Sequence, residues 1–333
     1  MLHITNGDIA ATRMRDGGLQ GARLPWRDVL HDGPVPAIES LSELSAIRAR
    51  YLSESGYGSA LAIRDQFRSR DTELSLAQTH DEVVLWFEHD LYDQLQILQI
   101  LDALVRHRVM VPVSMIVVGE YPGIARFTGL GQLSPAQLVG LFDSRQPVTP
   151  AQFDCAQRAW TAFRQATPER WADLLKPGEL PLPYLREAVV RLLEEYPAES
   201  DGLARTERAI LTAIDDGARS PREVFAAAQS MEQRPFLGDW PFWRRLACLA
   251  GTPEPLIEVE GGDAFFYPPG VPESPAFDAQ RLVLGRRGRD VLDKRADAVR
   301  LKPPDCWIGG VHLVVDSVWR WNTAQLRLSH EGN

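Results

Sequence analysis

Residues 83–104 are VVLWFEHDLYDQLQILQILDAL, in which an apolar run passes directly into a helical pattern. The run from Val83 to Phe87 is continuously apolar, as in strands of a parallel sheet that are buried on both faces. Leucines then recur at the three- and four-residue spacing of one helix face, at positions 91, 95, 98, 101 and 104. The segment therefore predicts a β-strand followed at once by an α-helix.

Two further strand patterns belong to the same unit. Residues 2–5 are short and β-prone, and Asn6-Gly7-Asp8 separates them from a helical stretch that starts at Ile9. Residues 113–118 are a third candidate strand, which ends in a loop at residues 119–123. Strands that alternate with helices favour right-handed crossovers and layered packing. We therefore predict an α/β, Rossmann-like three-layer domain over residues 1–147.

The second half of the chain is predicted to be mainly helical. Prolines at 147 and 150 mark a boundary, and a helical connector is expected over residues 148–200. Helix starts near Thr206, at Ser220-Pro221 and at Asp239 precede two candidate strands, residues 256–259 and 264–267. Three helices and a small hairpin indicate a winged-helix-like domain over residues 201–333.

The C-terminal segment is rich in aromatic residues. Residues 307–313 and 319–322 are expected to form a strand pair that docks on the N-terminal domain. His312, in the first of these segments, is expected either to pack there or to face the cleft.

Composition indicates an ordinary globular protein without membrane spans. The 333 residues are 44% hydrophobic and 24% charged, with a net charge of −9. No apolar run reaches the roughly 20 residues of a membrane span, and no secretory signal is visible. Cys155, Cys248 and Cys306 are too far apart for a CxxC pair and are expected to pack. We expect a cytoplasmic protein.

The densest polar cluster follows the second strand, at residues 88–94. Glu88 and His89 precede the helix, so helix capping explains them poorly, and they are the candidate general base or metal ligands. Asp90 and Asp93 are candidate metal ligands together with Asp8, although carboxylates in a first helical turn also serve as caps. A divalent metal ion is the expected cofactor, since it would reconcile these carboxylates with an anionic substrate.

Two other polar clusters are candidate parts of the same site. One is Asn6-Gly7-Asp8, where a helix cap is the alternative role for Asp8. The other is the loop at residues 26–36, which contains a third candidate catalytic residue, His31, and which alone would be a turn with surface charges. Ligands of open α/β sheets bind beyond the carboxyl ends of the strands. The candidate ligand-binding residues are therefore Asn6, Gly7, Asp8, Asp28, Asp32, Gly33, Tyr92 and Gln94.

Four motifs, HITNGD at 3–8, WRDVLHDGP at 26–34, FEHDLYDQ at 87–94 and WIGGVHL at 307–313, resemble a bacterial family that is catalogued as a domain of unknown function. The resemblance spans nearly the whole chain. It implies the two-part architecture, and it implies no activity and no catalytic residue.

Two functions from different classes fit these patterns. The first is an enzyme, a hydrolase or group transferase that acts on a phosphorylated or nucleotide-like small molecule. The second is a ligand-sensing transcriptional regulator or protein-interaction module that uses the winged-helix-like domain. Residues 281–302 contain eight basic and three acidic side chains, which favours contact with phosphate or a solvated helix face. The acidic chain as a whole does not favour nucleic acid.

Overall fold

The computed structural model describes residues 1–178, 180–267 and 274–332. Its first part contains five strands: β1 (Leu2–Thr5), β2 (Ala22–Pro25), β3 (Val83–Glu88), β4 (Val113–Val118) and β5 (Gln146–Pro147). It also contains eight helices: α1 (Asp8–Asp16), α2 (Leu41–Glu54), α3 (Ala60–Ser75), α4 (Leu91–Arg106), α5 (Pro135–Gly140), α6 (Pro150–Phe163), α7 (Glu169–Ala172) and α8 (Leu185–Leu193).

The five strands form one sheet in the order β2-β1-β3-β4-β5. Strands β1 to β4 are parallel, and the short β5 is antiparallel to β4. The predicted α/β class with a mostly parallel sheet is thus confirmed. The chain leaves β1 toward β2 on one side and later adds β3 on the other side, which makes the β1–β3 junction the topological switch point where such folds bind ligands.

Strand β3 lies at the centre of the sheet, and all six of its residues are buried. Val83, Leu85 and Phe87 join a core with α4, whereas Val84 and Trp86 join a second core with α1 and α5. This alternation follows from the two-residue period of a strand. Helices therefore cover both faces, which explains why the strand sequence is continuously apolar.

Helix α4 begins directly after β3 because Asp90 caps it. The Asp90 Oδ1 atom accepts a hydrogen bond from the Asp93 backbone N–H at 3.0 Å. Helices α6 and α8 pack against α4 and bury most of its length. The first turn of α4 is therefore held rigidly at the carboxyl end of β3.

The second part of the chain has its own core. It contains α9 (Arg205–Asp215), α10 (Pro221–Ser230), α11 (Asp239–Ala250), β6 (Ile257–Val259), α12 (Pro275–Asp278), β7 (Leu282–Leu284), α13 (Arg286–Leu292) and α14 (Ala298–Leu301). The three predicted helices are present. The predicted strand at residues 264–267 is wrong, because β6 pairs antiparallel with β7 instead.

The physical reason lies in two aromatic side chains of the mispredicted segment. Phe265 and Tyr267 stack on each other and pack against Phe277 and Trp240, respectively. Both rings are thus used to cover the helices, and the segment forms no ladder with β6. The winged-helix-like assignment stays a prediction.

The chain returns to the first part for its last four strands, β8 (Cys306–Ile308), β9 (Val311–Leu313), β10 (Ser317–Asn322) and β11 (Arg327–Gly332). Ile308, Val311 and Trp321 are buried in the same core as α4 and α6. The Val35 N–H donates to the Gly309 carbonyl at 2.7 Å. The C-terminal strands therefore pack on the α/β part. The predicted pairing of residues 307–313 with 319–322 is wrong, because each segment belongs to its own hairpin, β8–β9 and β10–β11. Among the described residues, no helix has the length and apolarity to cross a membrane.

Candidate functional site

Parallel strands β1 and β3 bring Asn6 against the residues that follow β3. Thr5 pairs with Trp86 in the sheet register, so Asn6 lies at the same edge as Glu88. The Asn6 Nδ2 amide donates to Glu88 Oε1 at 3.0 Å and to both Asp93 oxygens at 3.0 and 3.1 Å. One side chain from the first strand thus connects two carboxylates of the second polar cluster.

Glu88, Asp90 and Asp93 form the carboxylate cluster. One oxygen of each lies within 4.8 Å of the others, and all three side chains are buried. Within the described residues, no lysine, arginine or histidine forms an ion pair with any of them. Three acidic groups are therefore gathered at a buried point without a protein cation to balance them.

This environment shifts the acidity of all three groups. Burial, together with the nearby Glu88 charge, raises the pKa of Asp90 to about 8. Burial and the charges of Glu88 and Asp90 raise the pKa of Asp93 well above its ordinary value. Burial also raises the pKa of Glu88, although hydrogen bonds from Leu130 N and Asn6 oppose it. Without a bound cation, the cluster holds protons near neutral pH.

A glycine turn closes over Glu88. The Leu130 backbone N–H donates to Glu88 Oε1 at 2.6 Å. Gly129 has a φ of +154°, and a Cβ there would lie 2.5 Å from Glu88 Oε2. Only glycine combines this backbone conformation with so close an approach. The sequence shows Gly129-Leu130-Gly131 as a short glycine pair, too little to indicate a ligand site by itself.

Three cavities surround the strand end. One of about 430 Å³ is lined by Asn6, Glu88 and Gly129 on the β1 side. A second, of about 290 Å³, is lined by His89, Asp90 and Arg234. The third, of about 650 Å³, is lined by His89 and Arg234 together with residues of the loop after β4. The carboxylate cluster is buried but adjoins open space on two sides.

His89 lies between two members of the cluster and is 6% exposed. Burial and, secondarily, the Arg234 charge lower the pKa of His89, so the imidazole is neutral at pH 7. The nearby Val118 backbone opposes this lowering in part, and Nδ1 is buried with no hydrogen-bond partner among the described residues. A neutral imidazole keeps a lone pair on one of its two ring nitrogens. His89 can therefore accept a proton or a hydrogen bond.

Tyr92 and Gln94 lie beside the cluster on the first turns of α4. The Tyr92 hydroxyl donates to the Asn6 carbonyl at 3.4 Å, and Gln94 Nε2 donates to the Glu88 carbonyl at 3.0 Å. Burial raises the pKa of Tyr92. Gln94 is buried and fixes the loop, whereas Tyr92 also lines the 430 Å³ cavity. Both residues thus hold the backbone at the carboxyl ends of β1 and β3 by hydrogen bonds.

Asp8 does not join the carboxylate cluster. It pairs with Arg27, its side chain is 66% exposed, and the hydrogen bond from Arg27 lowers its pKa. Gly7 precedes α1, and a Cβ at this position would have no neighbour within 4 Å. The expected close approach of the backbone at Gly7 is therefore not seen against protein atoms, although both residues line the 430 Å³ cavity.

The loop at residues 26–36, here called the arginine-paired loop, directs its acids away from the cluster. Asp28 is fully buried, 3.1 Å from Arg48 and 3.7 Å from Arg70. Asp32 accepts hydrogen bonds from Tyr51 at 2.7 Å and from Arg244 at 2.5 Å. Both acids are thus matched by arginines of the same molecule.

Gly33 and His31 serve the packing of this loop. A Cβ at Gly33, whose φ is +84°, would lie 2.1 Å from the Tyr51 ring. His31 packs between Phe236 and Tyr92, at ring distances of 5.0 and 5.9 Å. Burial lowers the pKa of His31 to about 4, and neither ring nitrogen has a partner among the described residues. His31 is a neutral ring that faces Tyr92 and makes no contact with a carboxylate of the cluster.

The basic residues of the second part are largely engaged within the molecule. On α11, Arg244 pairs with Asp32, and Arg245 pairs with Glu195 and Glu207. In the segment 281–302, ion pairs with acidic side chains engage Arg287, Arg289 and Arg295. Asp305 and Trp307 engage His312 at the surface, away from the cluster.

The sequence patterns missed four residues around the 650 Å³ cavity, namely Arg126, Tyr184, Gln233 and Arg234. Arg234 and Gln233 come from the turn after α10, and Tyr184 precedes α8, so no local motif connects them to β3. The left-handed backbone of Tyr184 marks this position in the structure, but a tyrosine in the sequence does not predict that conformation. Comparison of the chain with protein-family models and with curated proteins finds no match.

Proposed function

We propose that the protein is a metal-dependent hydrolase or group transferase that acts on a phosphorylated or nucleotide-like small molecule at the carboxyl ends of β1 and β3. One observation carries the proposal. Three buried carboxylates, Glu88, Asp90 and Asp93, lie within 4.8 Å of one another with no ion-pair partner in the described part of the chain.

The ligand set favours a hard divalent cation. Carboxylate and amide oxygens suit Mg²⁺ and Mn²⁺, whereas zinc sites usually include histidine or cysteine. Asn6 bridges Glu88 and Asp93 through its Nδ2 amide, while its Oδ1 accepts from Thr5 Oγ1 at 3.4 Å, so the three carboxylates supply the ligand oxygens. A divalent cation would replace the protons that burial places on the cluster, and it would supply charge neutralisation for an anionic substrate.

The residues of the chain offer two groups for proton transfer. His89 is neutral and has an unpartnered ring nitrogen, Nδ1, which suits a general base. Glu88 is held in place by Asn6 and by the Leu130 N–H, so its position is fixed for binding rather than for movement. We therefore assign Glu88 to cation binding and His89 to acceptance of the proton.

The regulator hypothesis lacks comparable support. Arg244 and Arg245 of α11, the third helix of the predicted winged-helix-like domain, are engaged in ion pairs within the molecule. Base-reading helices need such side chains free to reach the groove. In the basic segment 281–302, Arg287, Arg289 and Arg295 are likewise engaged in ion pairs.

Metal binding is the decisive test. The chain, purified without chelator or metal-affinity tag, is titrated with Mn²⁺ and Mg²⁺ in a calorimeter, alongside elemental analysis. We expect one ion per chain, and an affinity loss of about 100-fold or more in Asp93→Asn and Glu88→Gln. Asp16→Asn, an exposed carboxylate on α1, is the matched control and binds as wild type.

A screen of phosphate esters and nucleotides, with and without the ion, then tests turnover. We expect hydrolysis or transfer that needs the ion and that falls in His89→Gln without a change in metal affinity. Absence of divalent binding in the wild-type chain, or equal binding by Asp93→Asn and Asp16→Asn, contradicts the proposal.

A further inference from the structure

The 650 Å³ cavity beside the carboxylate cluster, here called the arginine cavity, is lined by two arginines, Arg126 and Arg234. Arg126 donates to the backbone carbonyls of Gln229 and Glu232 at 2.5 and 3.1 Å, and it has no ion-pair partner in the described ranges. Arg234 uses one nitrogen, Nη2, for an ion pair at 3.4 Å with Glu187, whose side chain is exposed. Guanidinium groups that contact carbonyls keep their full positive charge.

Arg234 also has an unsatisfied donor. Its Nη1 atom is buried without a hydrogen-bond partner among the described residues. Buried donors are almost always paired, so an orphaned one indicates a missing acceptor. His89, which lines the same cavity, has the unpaired Nδ1 atom described above. One polar atom on each of two side chains of this wall, Arg234 Nη1 and His89 Nδ1, thus lacks a partner.

Tyr184 is held at this wall by a strained backbone. Its φ is +62°, a left-handed conformation that costs a non-glycine residue on the order of 1 kcal/mol or more. The conformation places the ring 5.8 Å from His89 and under the Arg234 guanidinium, at 4.7 Å. Strain of this kind persists where a particular side-chain position is needed, and here it fixes the two unsatisfied residues.

We propose that the arginine cavity binds the phosphate group of a phosphate monoester, with Arg126 and Arg234 as its cationic donors. Arginine forks match phosphate oxygens, and paired guanidinium groups balance a dianion. The inference rests on the proposed function, because His89 joins this cavity to the carboxylate cluster and a bound ester would lie across both.

The cavity has room for more than a phosphate ion. Its volume of about 650 Å³ falls within the range of small-molecule sites, roughly 300–1,000 Å³. Phe127, Tyr121 and Tyr184 supply aromatic surface on its walls, and Glu120 is the one carboxylate among its lining residues. An organic group on the phosphate can therefore make apolar contacts in the cavity. We expect an ester to bind more tightly than free phosphate for this reason.

The test uses the full chain, stripped of divalent ions and kept at constant ionic strength. Calorimetric titration compares inorganic phosphate with phenyl phosphate. We expect saturable binding of one anion per chain, tighter for the ester, and an affinity loss of about tenfold or more in Arg234→Gln and in Arg126→Gln. Arg15→Gln, an exposed arginine on α1, is the matched control.

Circular dichroism first verifies that each variant is folded. If Arg234→Gln does not fold, the affinity of Arg126→Gln decides the test. Wild-type affinity in the folded variants overturns the proposal. So does equal affinity for phosphate and phenyl phosphate, which would assign the cavity to the free ion.

The two proposals fail separately. Phosphate binding without divalent binding retains the arginine cavity and removes the metal-dependent function, whereas the converse result removes only the arginine cavity. In the same titrations, Asp93→Asn is expected to bind phenyl phosphate as wild type while it loses the cation.

Discussion

The arginine-paired loop and the carboxylate cluster place buried acids after strands β2 and β3, yet they treat the charge in opposite ways. Asp28 is fully buried and contacts Arg48 and Arg70. The carboxylate cluster is buried to a similar degree, and within the described residues it has only amide and backbone N–H donors. Burial alone therefore does not distinguish a structural acid from a candidate ligand.

The difference teaches that the balance of charge identifies the site. A buried ion pair is complete within the protein, and removal of one partner leaves an uncompensated charge. A buried acid without a cation destabilises the fold until a proton or a metal ion neutralises it. Functional sites commonly retain such destabilising groups. The predictions below test this contrast by changing one side of it at a time.

The largest effect is expected in the arginine-paired loop. Arg48→Met removes the near partner of Asp28 and the hydrogen bonds to Asp32 and Val29 carbonyls. We expect a loss of about 3–5 kcal/mol in the free energy of unfolding, measured by urea denaturation. Arg68→Met, an exposed pair with Asp65 at 3.8 Å, is the control and should lose less than about 1 kcal/mol. Equal losses of stability in Arg48→Met and Arg68→Met would show that the Arg48–Asp28 pair does not stabilise the fold.

The next effect concerns Asp32, which connects this loop to α11. Burial raises its pKa, but the Arg244 charge and the hydrogen bonds from Tyr57 and Tyr51 outweigh burial, and the net pKa is below its ordinary value. The folded state therefore binds fewer protons than the unfolded state just below pH 4. The stabilisation is complete above that pH and is lost as the pH falls through the folded pKa.

Asp32→Asn should accordingly reduce the free energy of unfolding by about 1.5–3 kcal/mol at pH 7. The difference from wild type should shrink below pH 4, as followed by urea denaturation across the pH range. A difference that stays constant into acid would show that the ion pair with Arg244 is not its source.

In the carboxylate cluster, the dependence of stability on pH is expected to have the opposite sign. The pKa of Asp90 is about 8 when folded and about 3.9 when unfolded, so the folded state binds more protons between these values. Stability of the metal-free protein should therefore fall as the pH rises from 4 to 8. Asp90→Asn keeps a helix cap and removes that loss. We expect the variant to gain about 0.5–2 kcal/mol at pH 8 and little at pH 4.

Saturating Mn²⁺ should reverse this order. An ion at 100 times its dissociation constant stabilises the wild-type chain by about 2.7 kcal/mol, and the variant by less. Thermal melts with and without the ion measure both effects. A metal-free Asp90→Asn chain that is less stable than wild type at pH 8 would mean that the cluster is a structural network after all.

Local patterns were sufficient to predict the strand end. The apolar period of residues 83–104 predicts β3 and α4, and parallel strands must bring Asn6 to the edge that holds Glu88. The structure agrees, and Asn6 contacts both Glu88 and Asp93. These features depend on neighbours in the chain or on the general geometry of parallel sheets.

Local patterns could not predict contacts between residues that are distant in the sequence. Arg48 follows Asp28 by 20 residues, and Arg244 follows Asp32 by 212, so no spacing rule shows that the loop is neutralised from elsewhere. The partner of β6 was mispredicted for the same reason, since β7 lies beyond residues 264–267, a short run of β-prone aromatic residues. Such long-range pairs are set by the packing of the whole fold. The arginine cavity could not be predicted for the same reason, because its lining residues come from distant parts of the chain.

The smallest effect is expected at Asp8, which tests where the carboxylate cluster ends. The sequence predicts Asp8 as a metal ligand, whereas in the structure Arg27 holds it at an exposed helix start. Exposed ion pairs contribute little, so Asp8→Asn should change the free energy of unfolding by less than about 0.5 kcal/mol. Its Mn²⁺ affinity should equal that of wild type. A tenfold weaker affinity would show that cation binding draws Asp8 away from Arg27, and that the site extends from β3 across to α1.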